Sequence, residues 1–260
     1  MSAHSKTCLI VGGLGWLGSE HTRRCHQAGL KLVVLDYFDK SAFDDRLGDA
    51  ADAIEYHQFD GYDHEGFADV LEQVFQAHGH IDGIVNNAFD FSQRTGFTPD
   101  RDDFLKSTIA DWQNTFDCGM VWPMLATQRF LRQDDLGDAR VINIASMYAV
   151  VAPCPDAYEG TAAFMLPQYG MAKAAMINFT KFIASYYGKQ GVRCNAIVPG
   201  AFPKPENISE TFLKNLTDRI PLGEIGVPSD LSGVLTFLLS EDSRYITGQT
   251  IVADGGWTIR

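Results

Sequence analysis

Two rhythms alternate along the chain. Short, nearly continuous apolar runs recur at Thr7–Val11, Lys31–Leu35, Ile54–Phe59, Gly83–Val85, Arg140–Ala145, Val192–Val198 and Thr250–Ala253. Between them, apolar residues return every three to four positions, as in Trp16–Ala28, Glu65–His78, Asp111–Leu131, Tyr169–Tyr187 and Ser229–Leu239. The first rhythm predicts strands covered on both faces, and the second predicts helices with one buried stripe. Their alternation predicts βαβ units and an α/β fold, a doubly wound parallel sheet of about seven strands flanked by helices. Three stretches break the pattern: Phe89–Ser107, Val151–Pro167 and the Pro-rich, polar Ala201–Gly226. Each follows an expected strand, so each belongs at the carboxyl ends of the strands, where open α/β sheets bind ligands.

No linker, internal repeat or low-complexity tract separates a second unit, so residues 1–260 read as one domain. Within it, an insertion over 151–167 and a polar lid over 201–226 are expected to cover the substrate. The chain carries 21 basic against 33 acidic residues, a formal charge of −12. That balance repels phosphate backbones and anionic lipid, which argues against nucleic-acid and membrane partners. No apolar run has the length of a membrane span, and the start, MSAHSKTCLIVGG, shows no leader pattern. The five cysteines, Cys8, Cys25, Cys118, Cys154 and Cys194, are scattered without CxxC spacing. A disulfide framework or a zinc site is therefore not expected, and a cytoplasmic setting is. His78 and His80 flank Gly79 without a further nearby ligand, so a solvated helix end is the reading and no metal site is assigned.

After the first strand comes Gly12-Gly-Leu-Gly-Trp-Leu-Gly18, with GxGxxG at Gly13, Gly15 and Gly18. Glycine lets the backbone approach a pyrophosphate, and the following helix offers free N–H groups and its positive dipole end. The absence of a GK[ST] ending excludes a P-loop. The second strand ends at Asp36, about 20 residues further on, where a carboxylate accepts from adenosine ribose hydroxyls and repels a 2′-phosphate. Tyr37 and Phe38 follow it rather than a basic residue, so NAD is expected over NADP. Asp60 ends the third strand and is placed either against the adenine edge or in a plain turn beside Gly61.

Tyr169 and Lys173 lie four residues apart on one helix face. A phenol titrates near 10, so to act as a base near pH 7 it must lose roughly 3 units, which a neighbouring ammonium and a cationic nicotinamide can supply. The preceding strand ends Asn143-Ile-Ala-Ser146, and Ser146 can donate to a reacting oxygen.

Together these pieces resemble the short-chain dehydrogenase/reductase family, in its compact form. Also similar are Asn86-Asn-Ala88 after the fourth strand, Arg193-Cys-Asn-Ala-Ile-Val-Pro-Gly200, and Ile246–Trp257. The resemblance spans nearly the whole chain in the family's order. It implies a Rossmann-like seven-stranded sheet, a nicotinamide cofactor and a homotetramer or homodimer. It further implies cofactor contacts from Gly12, Leu14, Gly15, Trp16, Leu17, Gly18, Asp36, Asp60, Asn87, Ala88, Ile144, Tyr169, Lys173, Pro199, Gly200 and Phe202. Ser146, Tyr169 and Lys173 correspond to the catalytic set, and Ser146, Tyr148, Tyr158, Glu159 and Tyr169 are assigned to the substrate.

Four departures stand out. The glycine turn is closer to the TGxxGxxG of larger, sugar-nucleotide-acting members. Phe89 replaces the glycine of NNAG. Gly119 stands where the family's water-holding Asn aligns, and Ser146 and Tyr169 are further apart than is usual. The insertion between them resembles that of a branch including flagellin-modification and other carbohydrate-acting oxidoreductases. Its polar residues (Asp156, Tyr158, Glu159, Thr161, Gln168) suit a hydroxyl-rich substrate, although a loop that buttresses a subunit contact would look the same. Phe89, Phe91, Phe164 and Phe202 could instead floor an apolar pocket. The expected activity is NAD(H)-dependent interconversion of a secondary alcohol or hemiacetal and a carbonyl on a sugar, sugar acid or nucleotide sugar. The alternatives are an NAD-binding sensor or interaction protein with weakened catalysis, and an epimerase working through a transient ketone.

Overall fold

The computed structural model describes residues 6–260. The reading of a start without a leader rests partly on residues 1–5, which lie outside the described residues. Seven strands form one sheet: β1 (Thr7–Val11), β2 (Lys31–Asp36), β3 (Glu55–Gln58), β4 (Gly83–Asn86), β5 (Arg140–Ile144), β6 (Arg193–Pro199) and β7 (Thr250–Ala253). Their order is β3-β2-β1-β4-β5-β6-β7, and every pairing is parallel. Helices α1 (Trp16–Gln27), α2 (Lys40–Leu47), α3 (His64–His78), α4 (Ile109–Phe116), α5 (Trp122–Phe130), α6 (Pro167–Tyr187), α7 (Glu210–Thr217) and α8 (Ser229–Leu238) complete the fold.

Alternate strand residues feed opposite faces of the sheet. Leu9, Val11, Val33, Leu35 and Ile84 join Phe67 and Leu71 of α3, Phe130 of α5 and Ile183 of α6 in one core. Cys8, Ile10, Leu32, Val34 and Val85 join Cys25 of α1, Phe43 and Leu47 of α2, and Leu231 and Leu235 of α8 in the other. Both faces are thus buried, which is why the strands read as unbroken apolar runs rather than as alternating ones. The five cysteines are free, and no helix among the described residues is long and apolar enough to cross a membrane.

The structure differs from the sequence reading in three places. The single helix expected over Asp111–Leu131 is two helices, α4 and α5, joined by a π-helical turn at Asp117–Val121. Pro123, in the first turn of α5, has no N–H to give the carbonyl four residues earlier, that of Gly119, so a regular α-helix cannot run through this point. Helix α2 was not expected, because it buries only Phe43 and Leu47, too little for a periodic signal. The lid region contains a helix, α7, with Ser209 accepting from the Phe212 N–H at its start.

The chain runs outward from β1 to β2 and β3, then returns to place β4 on the other side of β1. This reversal opens a crevice at the carboxyl ends of β1 and β4.

Candidate active site

The glycine turn leaves β1 into that crevice. The Gly12 N–H donates to the Leu35 carbonyl at 2.7 Å, and the Asn87 side chain donates to the Gly12 carbonyl at 2.6 Å. Gly12 has φ +85°, and a Cβ there would lie 2.4 Å from the Ala88 backbone. Asn87 and Ala88 thus brace the turn by close approach of two backbones. At Gly15 a Cβ would meet nothing within 4 Å, and no side chain caps α1, which starts at the next residue. An open backbone next to an uncapped helix N-terminus fits a pyrophosphate. Leu14 is buried and Leu17 partly buried in the core, so their contribution to such a group is backbone. Trp16 is the first residue of α1.

Asp36 is buried, and both carboxylate oxygens accept backbone N–H groups, from Leu14 at 2.8 Å and from Tyr37 at 2.8 Å. Burial raises its pKa, opposed by those hydrogen bonds and by the Arg46 guanidinium. Arg46 is a residue that sequence reasoning missed, because it arrives on the unexpected α2. It donates to the Leu14 carbonyl and lies 3.9 Å over the Phe38 ring. The cue was present: Asp39 caps α2, accepting from Ala42 at 2.9 Å, and an N-cap four residues before a Phe at helical distance from a Leu marks a short helix. Asp60 is exposed and accepts from the Tyr62 N–H at 3.0 Å, shaping the turn before α3.

Across the crevice, β5 ends at Ile144 and α6 starts at Pro167, bringing Ser146, Tyr169 and Lys173 together, each less than a tenth exposed. Lys173 Nζ donates to the Ile144 carbonyl at 2.8 Å. The Ser146 hydroxyl accepts from the Tyr148 N–H at 3.2 Å and acts to lower the pKa of the neighbouring Tyr169 phenol. Burial pushes the Tyr169 phenol up to about 12, against the pull of Ser146. The same burial brings Lys173 down to about 8. Burial alone thus holds the phenol neutral near pH 7, and the lowering that a base needs is left to the ammonium and the nicotinamide. Asn86 and Asn143 serve the scaffold: Asn86 donates to Asn143 Oδ1 at 2.8 Å, and Asn143 to Thr180 on α6 at 2.8 Å, tying β4, β5 and α6 together. Pro199 ends β6, while Gly200 packs against the Asp254 backbone and Phe202 against Gly226.

Aromatic rings surround Tyr169. Phe89 meets it edge-on at 4.9 Å, Phe91 lies at 5.2 Å and Phe97 at 6.3 Å, and Phe164 stacks on Phe97 at 6.1 Å. The polar residues of the insertion are largely engaged within the fold. The Tyr158 and Tyr148 hydroxyls bond to each other, Thr161 donates to the Tyr158 carbonyl at 2.8 Å, Gln168 to the Thr95 carbonyl at 3.3 Å, and Asp156 faces Arg219 at 3.7 Å. Glu159 is exposed, and its backbone carbonyl accepts from Asn215 of α7 at 2.9 Å. Tyr158 also packs on Phe212 of α7 at 5.7 Å, so insertion and lid helix form one unit beside the catalytic helix.

Gly119 lies on the π turn, where a Cβ would stand 2.8 Å from Ala172 Cβ. This contact explains why no side chain, Asn included, occupies the position. Gly119→Ala must push α6 away from the turn, and overpacking of this kind costs about 1–3 kcal/mol. The expected drop in melting temperature is about 2–4 °C per kcal/mol at this chain length, and an unchanged melting temperature would contradict the contact.

A family model described as enoyl-(acyl carrier protein) reductase matches residues 15–258. The 7alpha-hydroxysteroid dehydrogenase of Bacteroides fragilis is 32% identical, over 98% of this chain and 95% of that protein. The 2-dehydro-3-deoxy-D-gluconate 5-dehydrogenase of Escherichia coli is 31% identical, over 100% of this chain and 98% of its own. A solved short chain dehydrogenase from Leptospira borgpetersenii with bound NAD+ is 26% identical, superposes with a TM-score of 0.82, and is covered over 93% of its length by 98% of this chain. Fold and relatives define an oxidoreductase acting on CH–OH groups. The chain belongs to the short-chain dehydrogenase/reductase family.

Proposed function

We propose that the protein interconverts a ring-borne secondary alcohol and its ketone with NAD(H), Tyr169 exchanging the proton, Ser146 fixing the reacting oxygen and Lys173 holding positive charge beside both. The observation that carries this reading is the convergence of the three buried side chains at the carboxyl end of β5. NAD, when bound, supplies the hydride acceptor or donor. The protein's own part is to orient the alcohol, exclude water and move one proton at the Tyr169 oxygen. Residues 1–260 act as one domain, a reading supported by the single sheet.

For the substrate, a sugar, sugar acid or nucleotide sugar remains the first reading. The sugar-acid relative supports it, and sugars stack their C–H faces on aromatic rings such as Phe91 and Phe97. A second reading, an apolar ring such as a steroid, is favoured by the Phe89, Phe91, Phe97 and Phe164 wall and by the internal pairing of the insertion's polar groups. The test is turnover across hydroxyl-rich and lipophilic ring alcohols. Turnover of sugars with loss on Tyr158→Phe supports the first reading, turnover confined to lipophilic alcohols supports the second, and none with either class would sink the proposal.

Asp36 supports NAD over NADP, since a carboxylate at that place repels a 2′-phosphate. Arg46 is the counterweight, a guanidinium at the same rim. Asp36→Ala is expected to narrow the ratio of kcat/KM for NAD over NADP, and Arg46→Ala to widen it. A wild-type preference for NADP would reverse the assignment and make Arg46 the selecting residue. A homotetramer or homodimer is supported by the exposed, stacked pair Phe182 and Tyr186 on α6, and a cytoplasmic setting by the free cysteines.

A further inference from the structure

Lys173 is a buried cation at the centre of the site, and its surroundings are unusual for one. Its one hydrogen bond given by the geometry goes to the Ile144 carbonyl at 2.8 Å. The titratable groups that face the Lys173–Tyr169 pair are the Cys118 thiol on the π turn, the Tyr148 phenol on the turn after β5 and the Tyr158 phenol of the insertion. None of them carries a negative charge near neutral pH, since burial pushes Cys118 up to about 12 and also raises Tyr148 and Tyr158. What covers the ammonium is the face of Phe89, whose ring centroid lies 5.2 Å from Nζ. The same ring meets Tyr169 at 4.9 Å with the two planes at 84°. It lies alongside Gly119, where a Cβ would sit 3.5 Å from Phe89 Cε2.

We propose that Phe89 is a positioning residue for the reaction: its π face keeps the Lys173 ammonium charged, and its contact with Tyr169 fixes the phenol relative to that charge. The inference rests on the roles given to Tyr169 and Lys173 in the proposed function. An aromatic face is the negative end of a quadrupole and attracts a cation within about 6 Å, more strongly when water is excluded. It also differs from a carboxylate in a useful way. A carboxylate would stabilise the ammonium but would also raise the phenol's pKa by placing a negative charge beside it. A ring holds the cation, adds no net charge and takes no part in proton exchange. The substitution of glycine by Phe89 and the bare backbone at Gly119 are then two sides of one packing arrangement, in which an apolar ring does the holding.

The experiment is the pH profile of kcat/KM for alcohol oxidation, with saturating cofactor, in the wild type and in Phe89→Leu, Phe89→Met and Phe89→Tyr. Loss of the π face destabilises the ammonium, so Lys173 gives up its proton at lower pH. The alkaline limb should move toward acid by about one pH unit in the Leu and Met variants, the size expected for a desolvated cation–π contact. Phe89→Tyr keeps the face and should keep the limb in its wild-type place. Lowered turnover with the limb unmoved in Leu and Met would reduce Phe89 to plain packing, and an equal shift in Tyr would do the same. Met serves if Leu fails to fold, because it fills space flexibly without a ring. Tyr169→Phe separates the two failures. If that variant turns over normally, the site reading is wrong; if it is inactive and the limb is unmoved, only the Phe89 inference falls.

Discussion

Tyr169→Phe is expected to lower kcat and kcat/KM together by about 10²–10⁴, the range for loss of a positioned acid–base group, while cofactor binding stays at the wild-type level. The change removes one oxygen and leaves the ring, which is held by Phe89, Phe91 and Phe97, so the packing of α6 is retained. Ser146 keeps its bond from the Tyr148 N–H and still marks the position of the reacting oxygen. The two reaction directions should differ in pH dependence. Burial holds the phenol near 12, so it is already protonated and ready to donate when a ketone is reduced. Reduction should therefore be flat through neutral pH and fall as Lys173 loses its proton through about 8. Oxidation needs the phenolate, whose pKa must first be lowered by the positive charges of Lys173 and of the nicotinamide, so its rate should rise with pH up to the Lys173 limb. Binding is read by cofactor fluorescence and turnover by absorbance. A Phe variant with near-normal turnover would remove Tyr169 from the chemistry.

The part of this site legible in the sequence is the part carried by local spacing. The glycine turn, the strand-end Asp36 and the Tyr169/Lys173 pair each occupy a short segment whose geometry follows from one strand–turn–helix or one helical turn. Contacts between distant segments were not legible. Phe89 was readable as a departure from a motif, but its place over Lys173 depends on how the loop after β4 meets α6. Arg46 reaches the glycine turn across 32 residues of sequence, on a helix too short to announce itself. The pairings within the insertion were equally hidden: its polar residues were visible, but that the Tyr158 hydroxyl bonds Tyr148 was not, since composition says nothing about pairing. The break between α4 and α5 was readable at Pro123, a helix-interior proline that the apolar periodicity around it concealed.

Lys173→Met is expected to make the cofactor-free protein more stable at pH 7 while lowering kcat by about 10²–10⁴, in the range of a lost contributor to proton transfer. Lys173 is 2% exposed, and burial brings it down to about 8. In the unfolded chain a lysine keeps its proton to about 10.4, so the unfolded state binds more protons between the two values, and stability rises with pH across that window. Below about pH 8 both states are charged and the full cost of the buried ammonium is present, about 3 kcal/mol for a shift of this size. Methionine has a similar length, carries no charge and removes that cost. It also strands the Ile144 carbonyl, which accepts from Nζ, at a cost of about 1–3 kcal/mol. The balance at pH 7 is a gain of up to about 2 kcal/mol, and the melting temperature moves by about 2–4 °C per kcal/mol for a chain of this length. The diagnostic quantity is the difference between the two proteins measured against pH. It should be largest below pH 8, shrink as wild-type Lys173 neutralises, and above about pH 10.4 favour the wild type, where only the lost hydrogen bond remains. A melting-temperature difference that does not change with pH would show that Lys173 is not the strained cation its burial implies, and a less stable variant at pH 7 would show that the Ile144 bond outweighs the buried charge.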